Sequence, residues 1–321
     1  MRDHAGTGVK TPVARPRVRA AAVWLAAAVV LLAGCRTAPA PIERDLVAYL
    51  PADQGAWFFV NDALTGEAVL GALLPESISA DQLSQVVDRT DLVVASMGRL
   101  GDGGVNLVAS GRYPRRIVER NLRRDGRWTE HVLERGAPAA RYFEDPSTGY
   151  QIAVLRSGPV LISQGAIRER LEQAGAVEAG RPTAADAAVA ARLAAFEQAA
   201  DRRELTIFVP SPGRDSLARL GGAAIRVPIQ AMTVFVDRTN GSLELSGVIA
   251  LETDQDARAF HVLFRLLFLA TVRDAGLNMQ RLAAELETAR VESEIQFAGV
   301  VLDPDELRQL VQRVTENMGS R

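Results

Sequence analysis

Residues 300–312 read Val-Val-Leu-Asp-Pro-Asp-Glu-Leu-Arg-Gln-Leu-Val-Gln, and they carry the main evidence for the fold. The apolar run ends at Asp303, which has the chemistry of an N-cap, Pro304 suits the first helical position, and Glu306 completes a capping box. Apolar residues then recur at helical spacing, as Leu307, Leu310, Val311 and Val314. The stretch predicts a strand that runs directly into an amphipathic helix.

Residues 160–172 repeat this pattern 140 positions earlier, as Val-Leu-Ile-Ser-Gln-Gly-Ala-Ile-Arg-Glu-Arg-Leu-Glu. A strand followed by a helix often matches another such pair by chance, so the evidence for an internal repeat comes mainly from the order of the elements before it. Residues 57–60 begin a first half with a short apolar strand, as residues 205–209 begin a second half. The order of elements therefore predicts an internal duplication.

Each half continues with two strands and a helix. The strand pairs are expected at 92–97 with 105–110 and at 232–236 with 243–251. Asn240-Gly241 joins the second pair and is a strong hairpin signal, because both residues tolerate positive φ. Helices are expected at 114–123 and 254–272, and an extra hairpin at 140–143 with 151–156.

These elements predict an α+β fold of two tandem similar halves of antiparallel sheet, with helices packed on one face. We expect the first half to span 45–180 and the second 204–321. An alanine-rich helix at 181–203, with Val189, Leu193 and Phe196 at helical spacing, is expected to join them. The sequence leaves open whether the halves form one body or two.

The N-terminus has the pattern of an export signal. Arg15, Arg17 and Arg19 precede fourteen uncharged residues at 20–33, a length below the roughly 20 needed to span a bilayer. The run ends in Leu32-Ala33-Gly34-Cys35, which resembles the lipobox of bacterial lipoproteins. A short membrane anchor and a buried core helix are the alternatives.

The resemblance implies cleavage between Gly34 and Cys35, so that 1–34 is a removed signal peptide and Cys35 becomes a diacylglyceryl cysteine carrying fatty chains such as palmitate. Two or more chains are enough for stable anchoring. Residues 35–44 then form a short tether at the membrane. The resemblance places the protein in the cell envelope on the exported side, and Arg36, which is not the aspartate of inner-membrane retention, favours an outer membrane if the source has one.

Composition excludes two classes of function. Cys35 is the only cysteine, so its lipidation leaves no thiol for disulfides or redox catalysis. Loss of 1–34 removes five basic residues and one acidic residue from a chain of net charge −2, which leaves a charge near −6. No nucleic-acid partner is expected from such a chain.

The sequence contains no recognisable catalytic or metal motif. His131 and His261 lack a second ligand at metal-binding spacing, and structural roles fit them better. Glu144, Asp145 and Ser216 fit turns or a helix start. A Ser-His-Asp triad stays open because triads assemble in space, but no catalytic residue, metal or cofactor is assigned and the protein is not expected to be an enzyme.

Residues 259–272 are apolar almost all round, which predicts a helix covered on most sides. A central helix packed on the sheet is the first interpretation, and a helix that lines an apolar pocket or a partner surface is the second. Four residues are candidates for such a surface: Phe260, Phe264, Leu267 and Phe268.

Two functions of different class follow. The first is a non-catalytic, lipid-anchored envelope protein that binds an envelope partner or has a structural role. Its rival is a carrier or binding protein for an apolar ligand such as a lipid, held in a cleft between the two repeats. An enzyme is the third alternative.

Overall fold

A computed structural model describes residues 46–51, 55–61, 67–70, 87–98, 104–134, 136–179, 203–210 and 228–319. Structural statements below concern these residues. The predicted signal peptide 1–34, Gly34 and Cys35, the tether 35–44, Ser216 and residues 181–202 of the predicted connecting helix lie outside them.

Twelve strands of the described chain form one antiparallel sheet in the order β11-β12-β10-β9-β8-β1-β2-β3-β7-β6-β5-β4. The strands are β1 (Ala56–Val60), β2 (Thr90–Met97), β3 (Val105–Gly111), β4 (Thr129–Val132), β5 (Arg141–Asp145), β6 (Tyr150–Val154), β7 (Val160–Gln164), β8 (Leu205–Pro210), β9 (Ile229–Thr239), β10 (Ser242–Leu251), β11 (Glu287–Val291) and β12 (Glu294–Leu302).

Helices accompany this sheet, so the α+β class is correct. They are a 3₁₀ helix (Leu46–Tyr49), α1 (Arg115–Arg124), α2 (Ile167–Glu178), α3 (Asp254–Asp274), α4 (Met279–Glu285) and α5 (Pro304–Gly319). The sequence analysis gave no definite element for α4, for the edge strand β11 or for β4. All three are short, and β11 lies mostly exposed, so none has a long apolar pattern.

The first part of the chain, which contributes β1 to β7, meets the second part, which contributes β8 to β12, near the centre of the sheet. β1 pairs antiparallel with β8, with Phe58 opposite Ile207 and Trp57 opposite Phe208. Trp57 and Phe58 are buried. The described strands of both parts thus form one continuous ladder, which answers the question that the sequence left open.

Side chains alternate between the two faces of the sheet. We call the face that carries Trp57, Phe59, Val94 and Val108 the front face. The rear face carries Phe58, Val60, Ala95 and Leu107. Each face contributes to a separate buried apolar cluster.

Helices pack on both faces, which corrects the expectation of helices on one face only. On the rear face, α3, α4 and α5 bury Phe260, Leu282 and Leu307 against β10 and β12. On the front face, the 3₁₀ helix and α2 bury Leu46 and Leu171 against the strands of the first part. A side-chain hydrogen bond from Gln173 Nε2 to the Leu50 carbonyl, 2.7 Å long, ties these two front helices together.

The capping box predicted at the start of α5 is present. The Glu306 N–H donates to Asp303 Oδ1 at 2.8 Å, and the Asp303 N–H donates to Glu306 Oε2 at 3.1 Å. The helix begins at Pro304, as the sequence predicts. Leu307 and Val311 are buried on the rear face, and Leu310 packs beside them.

The corresponding corner before α2 is built differently. β7 continues to Gln164, Gly165 follows with φ +83°, and α2 begins at Ile167. The Ile167 N–H donates to Gln151 Oε1 of β6 at 2.9 Å, so a neighbouring strand supplies the helix cap. This corner delivers α2 to the front face.

The Asn240-Gly241 hairpin is confirmed, with φ +54° and +85° at the two residues. The pairing of β10 with β12 contains an irregularity between Leu245 and Gly247. A Cβ at Gly247 would lie 2.5 Å from the Phe297 ring, so only glycine lets this ring lie against β10.

Candidate functional site

The four residues singled out on α3 face the sheet. Phe260, Phe264 and Leu267 are buried, and Phe268 is partly buried against the same cluster. Phe264 lies 5.3 Å from Phe297 between ring centroids and 6.1 Å from Phe260, which are ordinary contact geometries for aromatic pairs. The placement of these residues is that of a helix packed on the sheet.

The opposite side of α3 exposes two large apolar side chains next to exposed Arg258 and Arg265. Val262 is 72% exposed and Leu266 is 64% exposed, one helical turn apart. Ala259 is also exposed, and Leu269 is partly buried. The all-round apolar composition of 259–272 was the signal for this surface, but it did not distinguish the covered side from the exposed one. Burial in the fold supplies that distinction.

A shallow groove of about 390 Å³ lies on the front face of the second part, over β9, β10, β12 and β11. Its floor combines apolar and polar side chains, namely Phe235, Ser246, Val248, Gln296 and Ala298. At its rim the Arg203 guanidinium lies 4.9 Å from the centroid of the Phe235 ring and pairs with Asp237. The sequence analysis did not find this groove, because its residues come from strands about 60 positions apart.

The histidines of the described chain lie at opposite edges of the sheet. His131 in β4 stacks on Tyr142 at 4.5 Å and has Nε2 3.2 Å from Glu144 Oε2. His261 in α3 has Nε2 3.1 Å from Thr288 Oγ1 of β11. The fold therefore does not bring His131 and His261 into one site.

Charged groups on the rear face of the first part form ion pairs. Glu130 pairs with Arg123 at 2.8 Å and with Arg141. The hydrogen bond from Arg123 and that from Arg141 outweigh burial and lower the pKa of Glu130 to about 2. These pairs join α1, β4 and β5 and have the geometry of a structural contact.

Asp145 supports the turn between β5 and β6. Its Oδ1 accepts hydrogen bonds from the Ser147 N–H at 2.9 Å and from Ser147 Oγ at 2.6 Å. Burial acts to raise the pKa of Asp145, but these hydrogen bonds and Arg127 outweigh it and lower the pKa. The sequence analysis assigned Asp145 to a turn, whereas the structure places it as the last residue of β5, where it is buried.

Within the described ranges, no group of three or more histidine, cysteine, aspartate or glutamate side chains is arranged to hold a metal ion. Among the described helices, none combines the length and the apolar character needed to cross a membrane.

Comparison with known proteins gives a likeness of fold. No family model matches the chain, and no curated protein matches it. Crystal form I of TP0453 superimposes with a TM-score of 0.57 at 11% sequence identity, covering 83% of this chain and 96% of that one. Crystal form III of TP0453 gives a TM-score of 0.55 at 11% identity over 83% and 96% of the two chains. At this identity, the likeness concerns the fold alone.

Proposed function

We propose that this chain is a non-catalytic protein of the bacterial cell envelope, anchored by lipid on Cys35, whose body binds another envelope component or has a structural role. The observation that carries the proposal is Leu32-Ala33-Gly34-Cys35, placed directly after a basic segment and an apolar run of signal-peptide length. The membrane is then reached through the diacylglyceryl group, and Arg36 favours the outer membrane where one exists.

The anchoring is tested by metabolic labelling with an alkyne fatty acid in a bacterial host. The wild-type chain is expected to be labelled and to sediment with membranes, and Cys35→Ala is expected to lose both properties, since it is the only thiol. Thr37→Ala is the control and should keep the label. Labelling that persists in Cys35→Ala, or a native protein that still begins at Met1, would overturn the proposal.

We also propose that the body consists of two tandem similar halves, at 45–180 and 204–321, joined by an alanine-rich helix at 181–203. Strand order supports this: β1-β2-β3-β7-β6 runs outward from the central seam as β8-β9-β10-β12-β11 does on the other side. A helix follows the third strand of each half along the chain: α1 follows β3, and α3 follows β10. Strands β5 and β4 extend the sheet beyond β6 in the first half, and the described strands of the second half include no counterpart to them.

Binding of an apolar ligand is the second candidate function, and the groove on the front face favours it. Phe235, Val248 and Ala298 offer apolar surface there, and the volume of about 390 Å³ is in the range of small-molecule sites. The groove lies over the second half. At the seam itself the described strands β1 and β8 form a continuous ladder.

Mass spectrometry of lipid extracted from the native purified protein tests this second function. A carrier is expected to release a reproducible non-covalent lipid, and Val248→Arg, which places a charge in the groove, is expected to abolish its recovery. Val132→Arg, at a fully separate exposed position on β4, is the matched control. Equal recovery from both variants would remove the groove as the ligand site.

A further inference from the structure

We propose that the outer side of α1 docks on an anionic lipid surface, so that the anchored body lies against its membrane through this helix. The surface, here called the arginine face, consists of Arg116, Arg120, Arg123 and Arg124. At 3.6 residues per turn these four residues lie within an arc of about 100°. The proposal rests on the proposed function in one respect, because the lipid on Cys35 is what brings the body to a membrane.

The inner side of α1 fixes the helix to the fold. Asn121 is buried, and Ile117, Val118 and Leu122 are partly buried. The helix lies against β6. All the exposed residues of α1 are arginines, so its outer side presents guanidinium groups and no apolar side chain.

The carboxylates next to α1 are engaged by other groups. Glu119 Oε1 accepts from Arg115 at 2.7 Å, and Glu130 Oε2 accepts from Arg123 at 2.8 Å. Asp125 Oδ1 accepts from the backbone N–H two residues further on, at 3.2 Å. The ion pairs of the described chain do not involve the rest of the arginine face, which is Arg116, Arg120 and Arg124.

Charge is distributed unevenly over the molecule. Residues 112–127 contain seven arginines and two acidic residues, a net charge of +5. Asp88 and Asp91 lie near the beginning of this segment together with Arg89, which lowers the local charge to +4. From residue 35 onwards, the chain outside 112–127 has 36 acidic residues and 25 arginines. An anionic membrane therefore attracts α1 and repels most of the remaining surface, which orients the body.

The arginine face is unfavourable for the helix by itself. Arg116, Arg120 and Arg124 follow one another at a spacing of four, where like charges destabilise a helix. Arg115 and Arg116 lie in the first turn, which contains no acidic residue, although the helix dipole disfavours cations there. An opposing layer of phosphate groups relieves both effects. A local pattern that costs stability in this way is typical of a functional surface.

The composition of the face favours lipid over an acidic protein. Protein interfaces have an apolar centre, whereas the exposed side of α1 has only charged groups. Guanidinium groups bind phosphate oxygens through two hydrogen bonds, and lipid headgroups are free to move into place beneath them. The tether 35–44 extends to at most about 36 Å, so the anchor keeps α1 within reach of the membrane.

Fluorescence quenching on vesicles tests this contact. The full chain is used in a Cys35→Ala background, so that an introduced cysteine is the only thiol. A fluorophore on Gly126→Cys reports on the arginine face, since a Cβ at this position meets no neighbour. A fluorophore on Glu172→Cys reports on an exposed position of α2, on the other face of the sheet. Headgroups that carry a nitroxide act as the quencher, in vesicles of phosphatidylglycerol or of phosphatidylcholine.

We expect quenching at position 126, and much less at 172, on phosphatidylglycerol vesicles only. Each basic residue near an anionic surface contributes about fivefold, so Arg120→Gln should lower the ratio of docked to undocked body about fivefold and Arg120→Glu about thirtyfold. Arg168→Glu, an exposed position of α2 with the same change of charge, is the matched control and should leave the ratio unchanged. All three variants should keep the wild-type melting temperature.

Solution conditions give a second measurement. About 1 M salt shortens the screening length to about 3 Å and should abolish the quenching at position 126. Changing the pH between about 6 and 9 should have no effect, because guanidinium groups stay charged.

Four results would overturn the proposal. They are a full chain that does not bind phosphatidylglycerol vesicles, equal quenching at positions 126 and 172, equal quenching on phosphatidylcholine, and equal docking of Arg120→Glu and Arg168→Glu. Any of them would leave an acidic protein as the partner that fits the arginine face. Because the background lacks the lipidation site, failure of docking leaves the proposed role of Cys35 untouched, and failure of lipid labelling leaves the vesicle result valid.

Discussion

The corners before α2 and α5 follow strands with similar apolar patterns, yet they send their helices to opposite faces of the sheet. At 300–312 the chain turns directly after Leu302, because Asp303 and Glu306 cap the helix from within its own sequence. At 160–172 the strand runs two residues further, and Gln151 of a neighbouring strand caps the helix. Similar local sequence patterns can therefore be followed by helices that pack on opposite faces of one sheet.

The largest expected effect comes from substituting the buried leucine in each of these two helices. Leu171→Ala in α2 and Leu307→Ala in α5 should each lower the free energy of unfolding by about 2–5 kcal/mol, because both side chains are buried. The sheet separates the two clusters, so the losses should add to within about 0.5 kcal/mol in the double variant. Urea unfolding measures all three.

Val132→Ala provides the control, because this side chain is 79% exposed and its loss should change stability by less than about 0.5 kcal/mol. Hydrogen exchange gives a second measurement. Leu171→Ala should accelerate exchange in the 3₁₀ helix and α2 and spare α5. Strong coupling between the two leucine substitutions would show that the two faces do not form separate cores.

The caps give a smaller and more direct comparison. Asp303→Ala and Gln151→Ala should each cost about 1 kcal/mol, since each leaves a helix N–H without its acceptor. Asp303→Asn and Gln151→Glu keep an acceptor oxygen at the same place and should retain most of the stability. If Gln151→Ala were neutral, α2 would not depend on its contact with β6. Thermal or urea unfolding decides this.

The smallest expected effect is a pH dependence from the ion pairs that join α1, β4 and β5. The folded-state pKa of Glu130, about 2, lies below its ordinary value of 4.5, so its contribution is complete above about pH 4.5 and is lost as the pH falls towards 2. Because these pairs are partly exposed, the contribution should be below about 1 kcal/mol.

Urea unfolding at pH 6 and at about pH 3 measures this contribution. Glu130→Gln should reduce the difference in unfolding free energy between the two pH values, and Glu134→Gln, at an exposed position, serves as the control. An unchanged difference in Glu130→Gln would mean that the contacts of Glu130 with Arg123 and Arg141 do not stabilise the folded state.

The candidate surfaces, like the two corners, combine features that the sequence predicts with features that only the fold reveals. The continuous apolar composition of 259–272 predicted a helix that needs cover, and Phe260 and Phe264 are buried as a packed helix requires. It could not assign the exposed side to Val262 and Leu266, because apolar residues occur all round the helix. The groove at Phe235 and Val248 had no sequence signal, since these residues become neighbours only when β9 and β10 pair.

The sequence by itself determined the elements whose cause is local: the capping box of Asp303 and Glu306, the positive-φ hairpin at Asn240-Gly241, and the apolar helix at 259–272. Hydrogen bonds and steric limits within a few residues are sufficient for each. The tertiary structure alone decided which face each helix covers, that β1 joins β8 at the centre, and that Gln151 caps α2. These depend on contacts between residues far apart in the chain, whose energies a local pattern does not contain.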